Sequence, residues 1–91
     1  MKLLFAEDEV SMAEAVTDIL TYHNYTVDTV YDGADALDYA RAEQYDGIIL
    51  DIMMPKKSGL EVLKTLRSEG NTTPILLLTA CLLYTSPSPR D

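Results

Sequence analysis

Gly47-Ile48-Ile49-Leu50-Asp51 is an apolar run of strand length that ends on an acid and is followed by a loop containing Pro55. A run of this kind reads as a buried strand opening into a loop. Upstream, Lys2-Leu3-Leu4-Phe5-Ala6 repeats the pattern and stops at Glu7-Asp8-Glu9. Downstream, Ile75-Leu76-Leu77-Leu78-Thr79 repeats it again and ends on a hydroxyl. Thr26-Val27-Asp28-Thr29-Val30 is β-rich but charged, which suits an edge strand.

Helical patterns separate these runs. Ser11-Met12-Ala13-Glu14 has the spacing of a capping box, and Met12, Val16, Ile19, Leu20 and His23 then recur at helical intervals, predicting a helix that ends near Asn24. Asp32-Gly33 opens an alanine-rich helix through Leu37 and Ala40. Ser58-Gly59-Leu60-Glu61 is a second capping box; Leu60, Leu63 and Leu66 line one face behind it, and Gly70 with Pro74 marks the stop. Strand and helix thus alternate. Alternation implies right-handed βαβ crossovers and a parallel sheet with helices on both faces, a three-layer α/β sandwich with four strands and three helices.

Ninety-one residues, 47% hydrophobic and 24% charged, describe one soluble globular unit. No apolar run reaches the roughly 20 residues of a membrane span, and Met1-Lys2-Leu3-Leu4-Phe5 meets Glu7 too soon for a signal peptide, so the expected location is cytoplasmic. The single Cys81 can make neither an internal disulfide nor a zinc site. A formal charge of -8 repels a phosphate backbone, which argues against direct nucleic-acid binding. The acids from Asp28 to Asp46 read as a solvated outer face. Five tyrosines between Tyr22 and Tyr45 read as packing, and His23 lies too far from the acids in the pattern to act as a phosphorelay base. Residues 81–91 show no sustained period and carry Pro87 and Pro89. They are expected to be an unstructured or non-native tail, resembling a translated adapter or, alternatively, a natural disordered segment.

Ligands of parallel α/β sheets bind beyond the carboxyl ends of the strands, where strand order reverses. Here those ends carry Glu7-Asp8-Glu9, Asp51 and Thr79. Clustered carboxylates repel unless a cation neutralises them, and Mg2+ prefers such hard oxygen ligands while keeping several waters. Asp8 and Asp51 are assigned as direct ligands and Glu7 as one acting through water. Taken alone, Glu7 to Glu9 serve equally well as loop acids before a helix N-terminus. An isolated aspartate such as Asp51 is usually only a strand-end acid, yet beside a divalent ion a carboxylate can accept a phosphoryl group. Thr79 offers a hydroxyl, or simply finishes a strand. The side chains of Met53 and Met54 read as gap-filling core residues.

Glu7-Asp8-Glu9, Leu50-Asp51-Ile52-Met53-Met54-Pro55, Ser58-Gly59 and Leu78-Thr79-Ala80 together resemble, in order and spacing, the receiver domain of two-component response regulators. The wording is most similar to receivers with a winged-helix DNA-binding domain downstream. The resemblance covers residues 1–80 and implies an incomplete flavodoxin-like (βα)5 fold with strand order 2-1-3-4-5. It implies Asp51 as phosphoacceptor, Asp8 as metal-binding acid, Glu7 as its outer-sphere neighbour, and Met53 as donor of a backbone carbonyl. Thr79 becomes the switch hydroxyl and Ala80 the small residue beside it. It further implies Mg2+ as cofactor and a sensor histidine kinase as phosphoryl donor. The domain would be a signalling switch that catalyses only its own phosphorylation and dephosphorylation, with DNA reached through an output domain and a homodimer possible in the full-length protein.

The match stops just after the fourth strand. A fifth strand, with a lysine that would pair with the phosphoryl group and an aromatic switch residue, is therefore expected to lie outside this sequence, and Cys81 stands where the family usually has a basic residue. The polypeptide is accordingly expected to fold marginally or to self-associate along its fourth strand. Two other classes compete. A dehalogenase-like phosphatase needs an acid two residues after its nucleophile, and position 53 is Met. An inert fragment or non-phosphorylated interaction module is the remaining alternative.

Overall fold

The computed structural model describes residues 1–78. Seven elements follow in order: β1 (Lys2–Ala6), α1 (Val10–Tyr22), β2 (Thr26–Val30), α2 (Gly33–Ala42), β3 (Gly47–Asp51), α3 (Gly59–Ser68) and β4 (Ile75–Leu78). The expected Thr79 end of the last strand, Ala80 and the segment 81–91 lie outside the described residues.

The strands form one sheet in the order β2-β1-β3-β4, with every neighbouring pair parallel. Leu4 registers with both Asp28 and Ile48, and Ala6 with both Val30 and Leu50. Side chains alternate along each strand, so paired residues share a face. Leu4, Ala6, Ile48 and Leu50 enter a core with Ala36, Leu37 and Ala40 of α2 and Val62 and Leu66 of α3. Leu3 and Phe5 point the other way and are also buried, as is Ala13 of α1. Helices therefore cover both faces, giving the α/β sandwich with four strands and three helices among the described residues.

Start and stop signals set the helix boundaries, with one exception. Asp32 caps α2 by accepting from the Asp35 amide at 2.8 Å. The Ser58 capping box at α3 is formed from both sides: the Ser58 hydroxyl accepts from the Glu61 amide, and the Glu61 carboxylate from the Ser58 amide. Gly70 at φ +85° ends the segment after α3. At α1, however, the expected Ser11 box does not form. Glu9 is the cap, accepting from the Met12 amide at 3.0 Å, so the helix starts one residue before Ser11. A carboxylate three residues ahead of an amide satisfies it as well as a hydroxyl, and the acid loop supplies one.

The buried faces of two helices also differ from the periodic reading. In α3 the face is Gly59, Val62 and Leu66, while Leu60 is exposed. In α1 only Ala13 is fully buried, and Met12 and Ile19 are exposed. A small residue faces the sheet because α1 lies close over β1 and β2, where Thr17 and Thr29 share a hydroxyl hydrogen bond at 2.8 Å. Met54 packs on the core as expected, but the Met53 side chain is 68% exposed, which corrects the core reading at that position.

Several acids between Asp28 and Asp46 have specific partners. The buried Tyr45 donates its hydroxyl to Asp28 at 2.6 Å, and burial followed by that hydrogen bond pushes the phenol well above its ordinary range, so it stays a donor. Asp46 accepts from the Lys2 amide at 2.7 Å and Glu43 pairs with the Lys2 ammonium, tying the start of β1 to the segment before β3. Arg41 pairs with Glu69, joining the ends of α2 and α3. Solvent screens these surface pairs so that they contribute little, and burial dominates the stability. Leu66→Ala is therefore expected to cost about 2–5 kcal/mol in urea unfolding. Tyr22→Ala, at a position 83% exposed, should stay within about 0.5 kcal/mol of the parent.

Candidate metal and phosphoacceptor site

The parallel registers bring the carboxyl ends of β1 and β3 to the same edge of the sheet, and the chain leaves them in opposite directions. From β1 it crosses to β2 on one side, and from β3 to β4 on the other. A crevice forms at such a reversal. Glu7 and Asp8 follow β1, and Asp51 is the last residue of β3. One carboxylate oxygen from each of the three lies within 4.8 Å of those of the other two.

Glu7 and Asp51 are only 8% and 9% exposed, whereas Asp8 is open to solvent. The Glu7 amide donates to Val30 at 3.1 Å, which extends the β1–β2 ladder into the loop. Its side chain accepts from the Glu9 amide at 3.0 Å, and Asp51 Oδ1 accepts from the Met53 amide at 3.3 Å. Among the described residues no lysine, arginine or histidine forms an ion pair with any of the three. Burial raises the Glu7 carboxyl above its ordinary value, the Asp51 and Asp8 charges push it the same way, and the hydrogen bond from Glu9 opposes the shift.

Gly59 fixes Asp51 from behind. A Cβ on Gly59 would sit 2.4 Å from the Asp51 carbonyl oxygen, and its amide donates to Ile52 at 3.0 Å. Only a residue without a side chain lets the start of α3 come this close to the strand end. The Ile52 amide in turn donates to Leu78 at 2.8 Å, and Asp51 registers with Leu78. Asp51 is thereby held by backbone on two sides, by the start of α3 and by β4.

A family model for the response regulator receiver domain matches residues 3–82. The chain belongs to that family. Among receiver-containing proteins it is 51% identical over 80 residues to the transcriptional regulatory protein DltR of Streptococcus agalactiae, covering 88% of this chain and 36% of DltR. It is 46% identical over 79 residues to the response regulator ArlR of Staphylococcus aureus, covering 87% and 36%. The chain thus spans about a third of the length of these relatives. Among solved structures, the receiver domain of Francisella response regulator 1452 superposes with a TM-score of 0.85 at 32% identity, covering 87% of this chain and 65% of that one. Response regulator TrrA of Thermotoga maritima, solved in complex with Mg(2+)-BeF, superposes at 0.84 with 38% identity, covering 93% and 74%.

Of the residues predicted for this receiver site, Glu7, Asp8 and Asp51 come together and Met53 follows on the same loop; Thr79 lies outside the described residues. Sequence reasoning missed Gly59 as a site residue, reading it as part of a capping box and of the family resemblance without assigning it a role. Its eight-residue distance from Asp51 gives no chemical signal, because a glycine's contribution is the space it leaves.

Like charge in a half-closed site costs folding energy until it is neutralised. The folded receiver favours protonated Glu7, so the cost is absent below the ordinary value of 4.5 and grows as pH rises through the raised folded value. Glu7→Gln is expected to raise stability in chelator at pH 7 by about 0.5–2 kcal/mol. That gain should vanish as pH falls to 4.5, in urea titrations run across the range. An equal gain at both pH values would mean that Glu7 carries no such burden.

Proposed function

We propose that this receiver takes a phosphoryl group onto Asp51 in a reaction that needs Mg2+. The observation that carries the reading is the approach of Glu7, Asp8 and Asp51 within 4.8 Å of one another with no cationic side chain paired to them among the described residues. The donor set fits the ion: these are hard oxygen ligands, two nearly buried and one open, so space remains for water and for a phosphoryl oxygen. Asp8, Asp51 and the Met53 carbonyl would hold Mg2+ directly, and Glu7 through a water. When bound, Mg2+ supplies the positive charge that lets an anionic carboxylate approach an anionic phosphoryl group.

The steps belonging to the chain are simple. An Asp51 carboxylate oxygen forms a bond to phosphorus as the phosphorus–nitrogen bond of a donor phosphohistidine breaks, and the electron pair leaves on the imidazole. The backbone behind Asp51 fixes its direction of attack, which is the main contribution a protein makes to phosphoryl transfer. Water later cleaves the acyl phosphate and returns the carboxylate. Thr79 supplies a hydroxyl to the phosphoryl oxygens and acts as the switch residue. The donor would be a cytoplasmic sensor histidine kinase, and transcription would be controlled through an output domain of the full-length regulator, as the description of DltR suggests for that relative. The domain's chemistry is confined to itself.

In a full-length version of the regulator, label from acetyl phosphate should enter only with Mg2+ present and be removed by hydroxylamine, as an acyl phosphate is. Asp51→Asn is expected to abolish it. Hydroxylamine-sensitive label that persists in that variant would move the acceptor elsewhere.

A further inference from the structure

After Met53 the loop doubles back through Pro55-Lys56-Lys57. The Lys57 amide donates to the Pro55 carbonyl at 2.7 Å, and Lys56 between them has φ +67°. A three-residue turn closed by such a bond around a left-handed central residue is a rare, strained form, and more so where that residue carries a Cβ. Strain of this kind persists only where the surroundings impose it. Here the start of α2 packs against the turn. The Gly33 amide donates to the same Pro55 carbonyl at 3.5 Å, and the Asp32 carboxylate lies 3.5 Å from the Lys56 ammonium.

The approach leaves no room for a side chain. A Cβ on Gly33 would lie 2.0 Å from the Lys57 carbonyl oxygen and 2.7 Å from both its carbonyl carbon and its Cβ. None of these atoms can swing aside without moving the loop backbone. The segment 52–58 is therefore gripped at both ends, by Gly59 against the Asp51 and Ile52 backbone and by Gly33 against the turn. Between the grips lies Met53, whose amide holds Asp51 Oδ1.

We propose that Gly33 is a positioning residue for the acid site: its bare backbone lets the N-terminus of α2 brace the Pro55–Lys57 turn and so fixes the loop carrying Met53 relative to Asp51. The proposal rests on the reading of Asp8, Asp51 and Met53 as an Mg2+ site. Gly33 touches no metal or phosphoryl group itself. It sets the geometry of residues that do, and loss of such supports weakens metal binding.

Calorimetric titration of the full-length regulator with Mg2+ alone, beside thermal melts in chelator, tests this. Gly33→Ala is expected to raise the Mg2+ dissociation constant about tenfold. Gly47→Ala, where a Cβ would press on the flexible Leu3 side chain at 3.3 Å and make an ordinary contact with the Pro74 carbonyl oxygen at 3.9 Å, should leave it unchanged even if both variants melt a few degrees lower. Affinity in Gly33→Ala equal to the parent, or an equal loss in Gly47→Ala, overturns the proposal. If Gly33→Ala does not fold, Lys56→Pro decides: proline locks φ at about −65° and so abolishes the turn that Gly33 braces, Mg2+ binding should weaken about tenfold, and unchanged affinity overturns the proposal. A parent chain that binds no Mg2+ overturns the site reading itself, and the role of Gly33 with it; parent binding that Gly33→Ala retains overturns only the latter.

Discussion

Three carboxylates meet at the point where the chain leaves β1 and β3 in opposite directions, and they meet because parallel register leaves them no alternative. Ala6 pairs with Leu50, so whatever follows Ala6 emerges beside whatever follows Leu50. In this chain those residues are Glu7 and Asp51. Their repulsion, with Asp8 adding to it, is a cost that the hydrophobic layers on both faces must carry. Burial of Leu4, Ile48, Leu50, Val62 and Leu66 supplies far more than the surface ion pairs do, which is why a site of this charge can be held half closed. The arrangement therefore sets apolar burial against charge crowding, and a divalent cation would relieve the second without altering the first.

Backbone contacts, more than side-chain ones, set the geometry around Asp51. Gly59 behind the strand end and Gly33 against the following turn are both positions where an added carbon would collide with main-chain atoms. Each lies at the first position of a helix whose cap is a polar residue, Ser58 or Asp32. Capping fixes the direction in which each helix starts, and the absent side chain fixes how near it comes. The acid loop supplies its own version of the device, since Glu9 caps α1 while Glu7 holds the Glu9 amide.

The acidic surface has a similar double character. Read as charge alone, the stretch from Asp28 to Asp46 is a solvated face. Yet Asp28 receives the Tyr45 hydroxyl, Asp32 caps α2, Glu43 pairs with Lys2, and Asp46 accepts the Lys2 amide. The partners sit on other elements, 17 to 44 residues away for Tyr45 and Lys2, so no local pattern reveals them.

Much of the fold was legible because apolar runs ending in acids, and the Ser58–Glu61 and Asp32–Gly33 signals, act over a few residues, the range over which hydrogen bonding and periodicity operate. The order of the strands came from resemblance, and the sheet agrees with it for β2-β1-β3-β4. Local pattern failed at α1 and α3, where Met12, Ile19 and Leu60 fit the period but face solvent while Ala13, Gly59 and Val62 face the sheet. How closely a helix lies on its sheet sets which residues are buried, and spacing does not encode that distance. The sequence by itself determined which elements form and which residues carry charge and chemistry. Only the tertiary structure decided that Glu7, Asp8 and Asp51 converge and that two glycines brace the loop between them, because convergence and close approach depend on inter-strand register and helix placement rather than on any local preference.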